Sequence, residues 1–144
     1  MRPGTTYRRH WCVGCETLRV RRYTEANFEH LLRHKFSMSM AQAKRLGNTV
    51  SITPEYVESL WHRQKGLCFY TDVPLVVQSG RGSCRESLSF DKIVPQFGYV
   101  SGNVVLCTRK ANAVKQDLTL DEMRLWLPDW YSRVVVFKEL DISS

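Results

Sequence analysis

Ser89-Phe90-Asp91-Lys92-Ile93, then Gly98-Tyr99-Val100-Ser101-Gly102-Asn103-Val104, then Asn112 form the stretch that decides how this chain reads. A short apolar strand ends in a carboxylate. A Gly-Tyr…Gly-Asn turn leads into a second strand, Val104–Cys107, and a helix starting near Thr108 carries Asn112 and Lys115. The expected local unit is a hairpin followed by a helix. An acid at a strand end and an amide on the facing helix suit a hard divalent cation, which takes oxygen ligands and keeps several waters.

The 144 residues around this unit suit one domain, or one small domain with an appendage, and a 43% hydrophobic composition is ordinary for a globular chain. No apolar run reaches the roughly 18 residues of a membrane span, and no apolar segment follows the N-terminal charges as in a secretory signal. The expectation is a soluble cytoplasmic protein without membrane contact. The formal charge is +7. Residues 1–50 carry ten Lys/Arg against three Asp/Glu and residues 51–144 carry eleven of each, so the excess lies in the first third. A basic arm beside a neutral domain reads as a nucleic-acid footprint, with Arg8, Arg9, Arg19, Arg21 and Arg22 as candidate phosphate contacts. Binding of this kind weakens steeply with salt. The plain alternative is a solvated basic tail.

Thr24 begins a helical pattern in which Phe28, Leu31 and Leu32 share a face as far as about Phe36, and residues 38–46 read as a second short helix stopped by Gly47-Asn48. Thr53-Pro54-Glu55 is a helix start, with a hydroxyl cap followed by proline. Gln78–Glu86, rich in Gly, Ser and Arg, reads as an exposed loop. Thr119-Leu120-Asp121-Glu122 is a capping box for a further helix that would bury Met123, Trp126 and Leu127 and end at Pro128. Residues Trp130 to Phe137 fit helix or strand equally.

Five cysteines in a cytosolic chain suggest thiols or metal ligands rather than disulfides. Cys12-x2-Cys15 is followed, after fourteen residues, by His30-x3-His34. Two thiolates on a turn and two imidazoles one helical turn apart can close a tetrahedron around Zn²⁺. The alternatives are an incidental CxxC beside surface histidines, or a mixed site using His10, Cys68 or Cys107.

A resemblance enters at these residues. Ala43-Lys44-Arg45, Ser51 to Tyr56 and Leu60 to Leu75 resemble the lead-in of phage-type HNH endonucleases. Ser87–Lys115 resembles their HNH (ββα-metal, His-Me) finger, and Gln116-Asp117-Leu118-Thr119 resembles its exit, so roughly residues 40–127 are covered. The GY…GNV…N…K arrangement is the specific part. The resemblance implies that Asp91 and Asn112 hold one catalytic Mg²⁺ or Mn²⁺, and that Asn103 orients the base or shapes the turn. It also implies that Lys115 reaches phosphate.

The family's general base, a histidine, falls here on Lys92. Histidine accepts a proton near neutral pH, whereas an ordinary lysine is already charged. Three outcomes are open: Lys92 contacts the phosphate while another residue or metal-bound water supplies the nucleophile, with His62 or Tyr99 the nearest substitute bases in sequence; the enzyme is slow; or the finger has lost catalysis and kept binding. The two CxxC pairs that buttress many such fingers are also missing. Cys68 lacks a partner at Thr71, and Thr108 and Ala111 stand where the second pair would be. The finger is expected to be zinc-free and held by Leu67, Phe69, Leu88, Phe90, Val104 and Leu106.

The chain is thus expected to be α+β, a ββα-metal (HNH) finger with flanking helices and a small basic zinc-bound arm. Residues 1–37 would form the arm and residues 38–144 the nuclease domain. The expected activity is metal-dependent nicking or cleavage of DNA, with RNA the alternative substrate, no small-molecule cofactor, and the host cytoplasm as its place if phage-encoded. The rival is a catalytically degenerate finger that binds nucleic acid as a regulatory or structural protein. A third reading is an adaptor binding a protein through its apolar C-terminus.

Overall fold

The computed structural model describes residues 29–77 and 84–143, with side chains to residue 140. The arm with Cys12, Cys15, Arg8, Arg9, Arg19, Arg21 and Arg22, and the loop segment around Arg81, lie outside the described residues. Within the described residues the chain is α+β, with five α-helices and a two-stranded antiparallel sheet.

Helix α1 covers 29–45. The two helices expected on either side of residue 37 are one. Nothing between Phe36 and Met40 breaks a helix, and Leu32, Phe36, Met40 and Ala43 continue one buried stripe at three- and four-residue spacing. The 37/38 division therefore falls inside a helix whose Leu31, Leu32 and Phe36 share the core with Val134 and Phe137. Gly47 ends α1 at φ 87°, and the Asn48 backbone N–H and side-chain amide both donate to the Ala43 carbonyl oxygen, at 2.9 and 3.2 Å.

Helix α2 (Pro54–Gln64) starts as the sequence indicates, with Thr53 accepting from the Tyr56 N–H at 3.2 Å and proline in the first turn. Strands β1 (Leu88–Lys92) and β2 (Val104–Thr108) pair in antiparallel register, with Phe90 opposite Leu106 and Lys92 opposite Val104. A lone two-stranded hairpin is marginal in water. Here the outer edge of β2 is covered. The Tyr56 hydroxyl donates to the Val104 carbonyl oxygen at 3.1 Å. The Gln64 amide both donates to and accepts from the Leu106 backbone, at 2.8 and 3.0 Å. The Thr108 N–H donates to Cys68 Sγ at 3.4 Å. These side chains stand where a third strand's backbone would stand, so the edge has partners for its polar groups.

Helix α3 (Arg109–Lys115) follows β2 directly, and the Thr108 hydroxyl caps it by accepting from the Ala111 N–H at 3.0 Å. Helix α4 (Leu120–Trp126) carries the full capping box of Thr119 and Glu122. Pro128 separates α4 from α5 (Pro128–Ser143) and opens the latter, which resolves the ambiguity over Trp130–Phe137 in favour of helix. Trp126 is not in the core: it is 63% exposed, because α4 turns buried Met123 and half-buried Leu120 to the core, with half-buried Leu127 just after it, and leaves Trp126 off that side. Among the described residues no helix is long and apolar enough to cross a membrane.

Candidate active site at the β1–α3 seam

Side chains two apart on a strand share a face, and side chains three apart on a helix are neighbours. Ser89 and Asp91 of β1 therefore meet Asn112 and Lys115 of α3 in matching order. Asn112 Nδ2 donates to Ser89 Oγ at 2.7 Å and reaches the Phe90 carbonyl oxygen at 3.5 Å. Lys115 Nζ lies 3.2 Å from Asp91 Oδ1 and donates to the Lys92 carbonyl oxygen at 2.8 Å. The side chains of Lys115 and Asp91 are 0% and 2% exposed. Asp91 Oδ2 accepts from the Tyr70 hydroxyl at 2.5 Å. Trp130 of α5 stacks on the Tyr70 ring with centroids 4.6 Å apart, and Phe69 meets that ring edge-on at 5.0 Å.

Burial pushes the Asp91 carboxyl above its ordinary range, against the pull of Lys115, the Tyr70 hydroxyl and Lys92. Burial and the facing Asp91 charge hold the Tyr70 phenol well above its ordinary value, so it stays a donor. Burial likewise raises the Tyr99 phenol, which disfavours Tyr99 as a base at neutral pH. The Cys107 thiol is pushed well up, first by burial and then by Asp91, which makes it a poor nucleophile.

Lys92, next in sequence, points to the other side of β1. Its ammonium donates to Asn48 Oδ1 at 2.7 Å and sits 5.1 Å from the centre of the Tyr99 ring. Asn103 takes no place in the seam. Its Oδ1 accepts from the Val94 N–H at 2.9 Å, and its Nδ2 donates to the carbonyl oxygens of Val94 and Gly98 at 3.0 and 2.8 Å. Of the two roles open to it, this geometry is that of shaping the turn. Gly98 is required there: it has φ 80°, and a Cβ would sit 2.7 Å from the Thr49 carbonyl oxygen.

The expected site residues thus divide. Asp91 and Lys115 pair, Asn112 lies in the same seam against Ser89, Lys92 stands on the opposite face, and Asn103 closes the loop between the strands. Lys115 is buried in the ion pair rather than presented to a surface phosphate. His62 is exposed in the last turn of α2. His30 and His34 are exposed on α1 with parallel rings, centroids 6.4 Å apart, while the two cysteines expected to join them lie outside the described residues.

Tyr70, Ser89 and Asn48 were not among the residues singled out from sequence as site residues. Ser89 could have been found, since it is two residues from Asp91 on the same strand. Tyr70 shares its buried side with Cys68, two residues earlier, and a segment this short carries no sequence pattern that singles it out. Asn48 carries none beyond its place after Gly47. Comparison with family models, curated proteins and solved structures returns no match for this chain.

Proposed function

We propose that this chain is a metal-dependent endonuclease of the HNH type acting on DNA. One observation carries the reading: Asp91 and Asn112 both belong to the seam between the hairpin and α3, and beside Asp91 a position lined by oxygen atoms already holds a cation. That cation is the Lys115 ammonium, between the Asp91 carboxylate and the Lys92 carbonyl oxygen. The donor set fits a hard divalent ion in kind, because Asn112 directs its amide N–H to Ser89 and keeps its oxygen as an acceptor. Asp91 and Asn112 would hold the ion. When bound, a divalent ion there supplies charge stabilisation for the phosphate and the departing 3′ oxygen.

The chain's own residues do the rest of the positioning. Tyr70 fixes the Asp91 carboxylate, Ser89 fixes the Asn112 amide, and Trp130 over the Tyr70 ring helps keep water from the carboxylate. Lys92 supplies positive charge to DNA phosphate on the other face of β1, where Asn48 and the Tyr99 ring hold its ammonium. The basic arm adds phosphate contacts. Structural zinc at Cys12, Cys15, His30 and His34 belongs to the same reading, with the two histidines one helical turn apart on α1.

A second reading, a binding module without catalysis, is favoured by a different observation: Asp91 is already neutralised by Lys115, and Lys92 stands where the family has its base. Supercoiled plasmid with Mg²⁺ or Mn²⁺ separates the two. Metal-dependent nicking that disappears in Asp91→Asn and Asn112→Ala, with DNA retention kept, supports the nuclease. Salt-sensitive retention by all three proteins without nicking moves the assignment to the binding module.

A further inference from the structure

We infer that Lys115 is a displaceable internal cation that competes with divalent metal for Asp91 and so sets the metal affinity of the site. The inference rests on the reading of Asp91 as a metal ligand. Asp91 is a single buried carboxylate. With the Lys115 ammonium 3.2 Å away, the pair is neutral. A divalent ion added beside that ammonium would place three positive charges against one carboxylate, in a site whose two side chains are 0% and 2% exposed. The two cations therefore exclude each other.

The geometry of Lys115 suits departure. It is the last residue of α3, beside the helix cap Gln116, so its release requires no break in the middle of an element. Its four-carbon stem is flexible and its charge compact, which lets the ammonium leave the pair without moving the backbone far. The atoms it leaves behind, Asp91 Oδ1 and the Lys92 carbonyl oxygen, are oxygen donors of the kind a hydrated Mg²⁺ or Mn²⁺ accepts. A lysine serving the fold alone would give a different result, since its removal would strand Asp91 and raise no affinity.

The test is Mn²⁺ titration of the full chain, following free Mn²⁺ by electron paramagnetic resonance, with folding checked by circular dichroism. Lys115→Met and Lys115→Gln are expected to bind Mn²⁺ at least about tenfold more tightly than the parent, and adding Asp91→Asn should abolish the gain. The glutamine variant keeps a donor for the Lys92 carbonyl oxygen and covers the case in which the methionine variant is unfolded. If both need Mn²⁺ to fold, in an Asp91-dependent way, the inference is equally supported. Asp91-dependent binding of unchanged or weaker affinity in both variants overturns the competition and leaves the metal-site reading standing. Binding that ignores Asp91→Asn, or none in any variant, overturns the metal-site reading itself. Unfolding of both variants regardless of Mn²⁺ makes Lys115 a structural residue only.

Discussion

The Tyr70 hydroxyl donates to Asp91 Oδ2 while the Tyr70 ring is gripped by Trp130 and Phe69, so a residue of the 67–75 turn and a residue of α5 together fix the carboxylate at the end of β1. Tyr70→Phe removes the donor and keeps the ring. A hydrogen bond to a charged group contributes about 1.5–3 kcal/mol, and a loss of that size is expected in urea unfolding with an unchanged denaturant slope. A loss near zero would mean that Asp91 does not depend on the phenol.

The loop between the strands is closed by Asn103 and by the close approach of Gly98 to Thr49. Asn103→Ala leaves the Val94 N–H and two carbonyl oxygens without their partner, at about 1–3 kcal/mol for each buried group left unsatisfied. Gly98→Ala combines a positive φ with a Cβ 2.7 Å from a backbone oxygen, so Thr49 must shift. Both variants are expected to lower the urea midpoint and to speed amide exchange at Ile93 and Tyr99, whose N–H groups donate to Asn103 and Thr49. Exchange at those two amides equal to the parent's would contradict this account of the loop.

Much of the fold was legible because its signals are local. Thr53-Pro54, Thr108 and Thr119…Glu122 mark helix starts through bonds made within one turn, and the alternation in Leu88–Lys92 marks a strand. What was not legible depends on distant partners. Gln64 and Cys68 cover the edge of β2, and no local pattern announces a glutamine acting as a strand. The continuity of α1 was hidden by Ser37 and Ser39, polar positions that lie off its buried stripe. In the candidate site, the meeting of β1 with α3 could be read from the hairpin–helix order, whereas burial of Lys115 against Asp91 could not. A lysine at a helix end usually faces water, and only the depth of the β1–α3 seam makes it a counter-ion.

Arg133 of α5 forms a two-pronged ion pair with Asp72, at 2.9 and 2.7 Å, and also donates to the Phe69 carbonyl oxygen at 3.0 Å. The Arg133 hydrogen bond holds the Asp72 carboxyl below its ordinary value of 3.8. A lowered folded-state value means that the stabilisation is present above pH 3.8 and is lost as pH falls through the lower folded value. The pair is partly exposed, so the effect is small and salt-sensitive. Asp72→Asn is expected to flatten the acid limb of the stability profile below about pH 4 while leaving the neutral region little changed. An unaltered acid limb would assign that limb to other carboxylates.

The zinc proposed at Cys12, Cys15, His30 and His34 makes a separate prediction, since none of these residues belongs to the β1–α3 seam. The purified chain should carry about one zinc per molecule, and His30→Ala or His34→Ala should lower that content without weakening Mn²⁺ binding. Zinc content unchanged in both histidine variants would place the metal on other ligands.

Lys92 offers the clearest separation of phosphate contact from base chemistry. Its ammonium is held by Asn48 and lies over the Tyr99 ring, on the side of β1 away from Asp91. Lys92→Gln keeps a polar group able to reach Asn48 but removes the charge. If Lys92 meets a phosphate, DNA affinity falls evenly across sequences, and the slope of log affinity against log salt becomes shallower by about 0.9. Cleavage at saturating DNA would then fall less than binding at low DNA. If Lys92 were instead the proton acceptor, the salt slope would be unchanged and cleavage at saturation would disappear. Fluorescence anisotropy at several salt concentrations, with the plasmid assay beside it, distinguishes the two roles in one protein preparation.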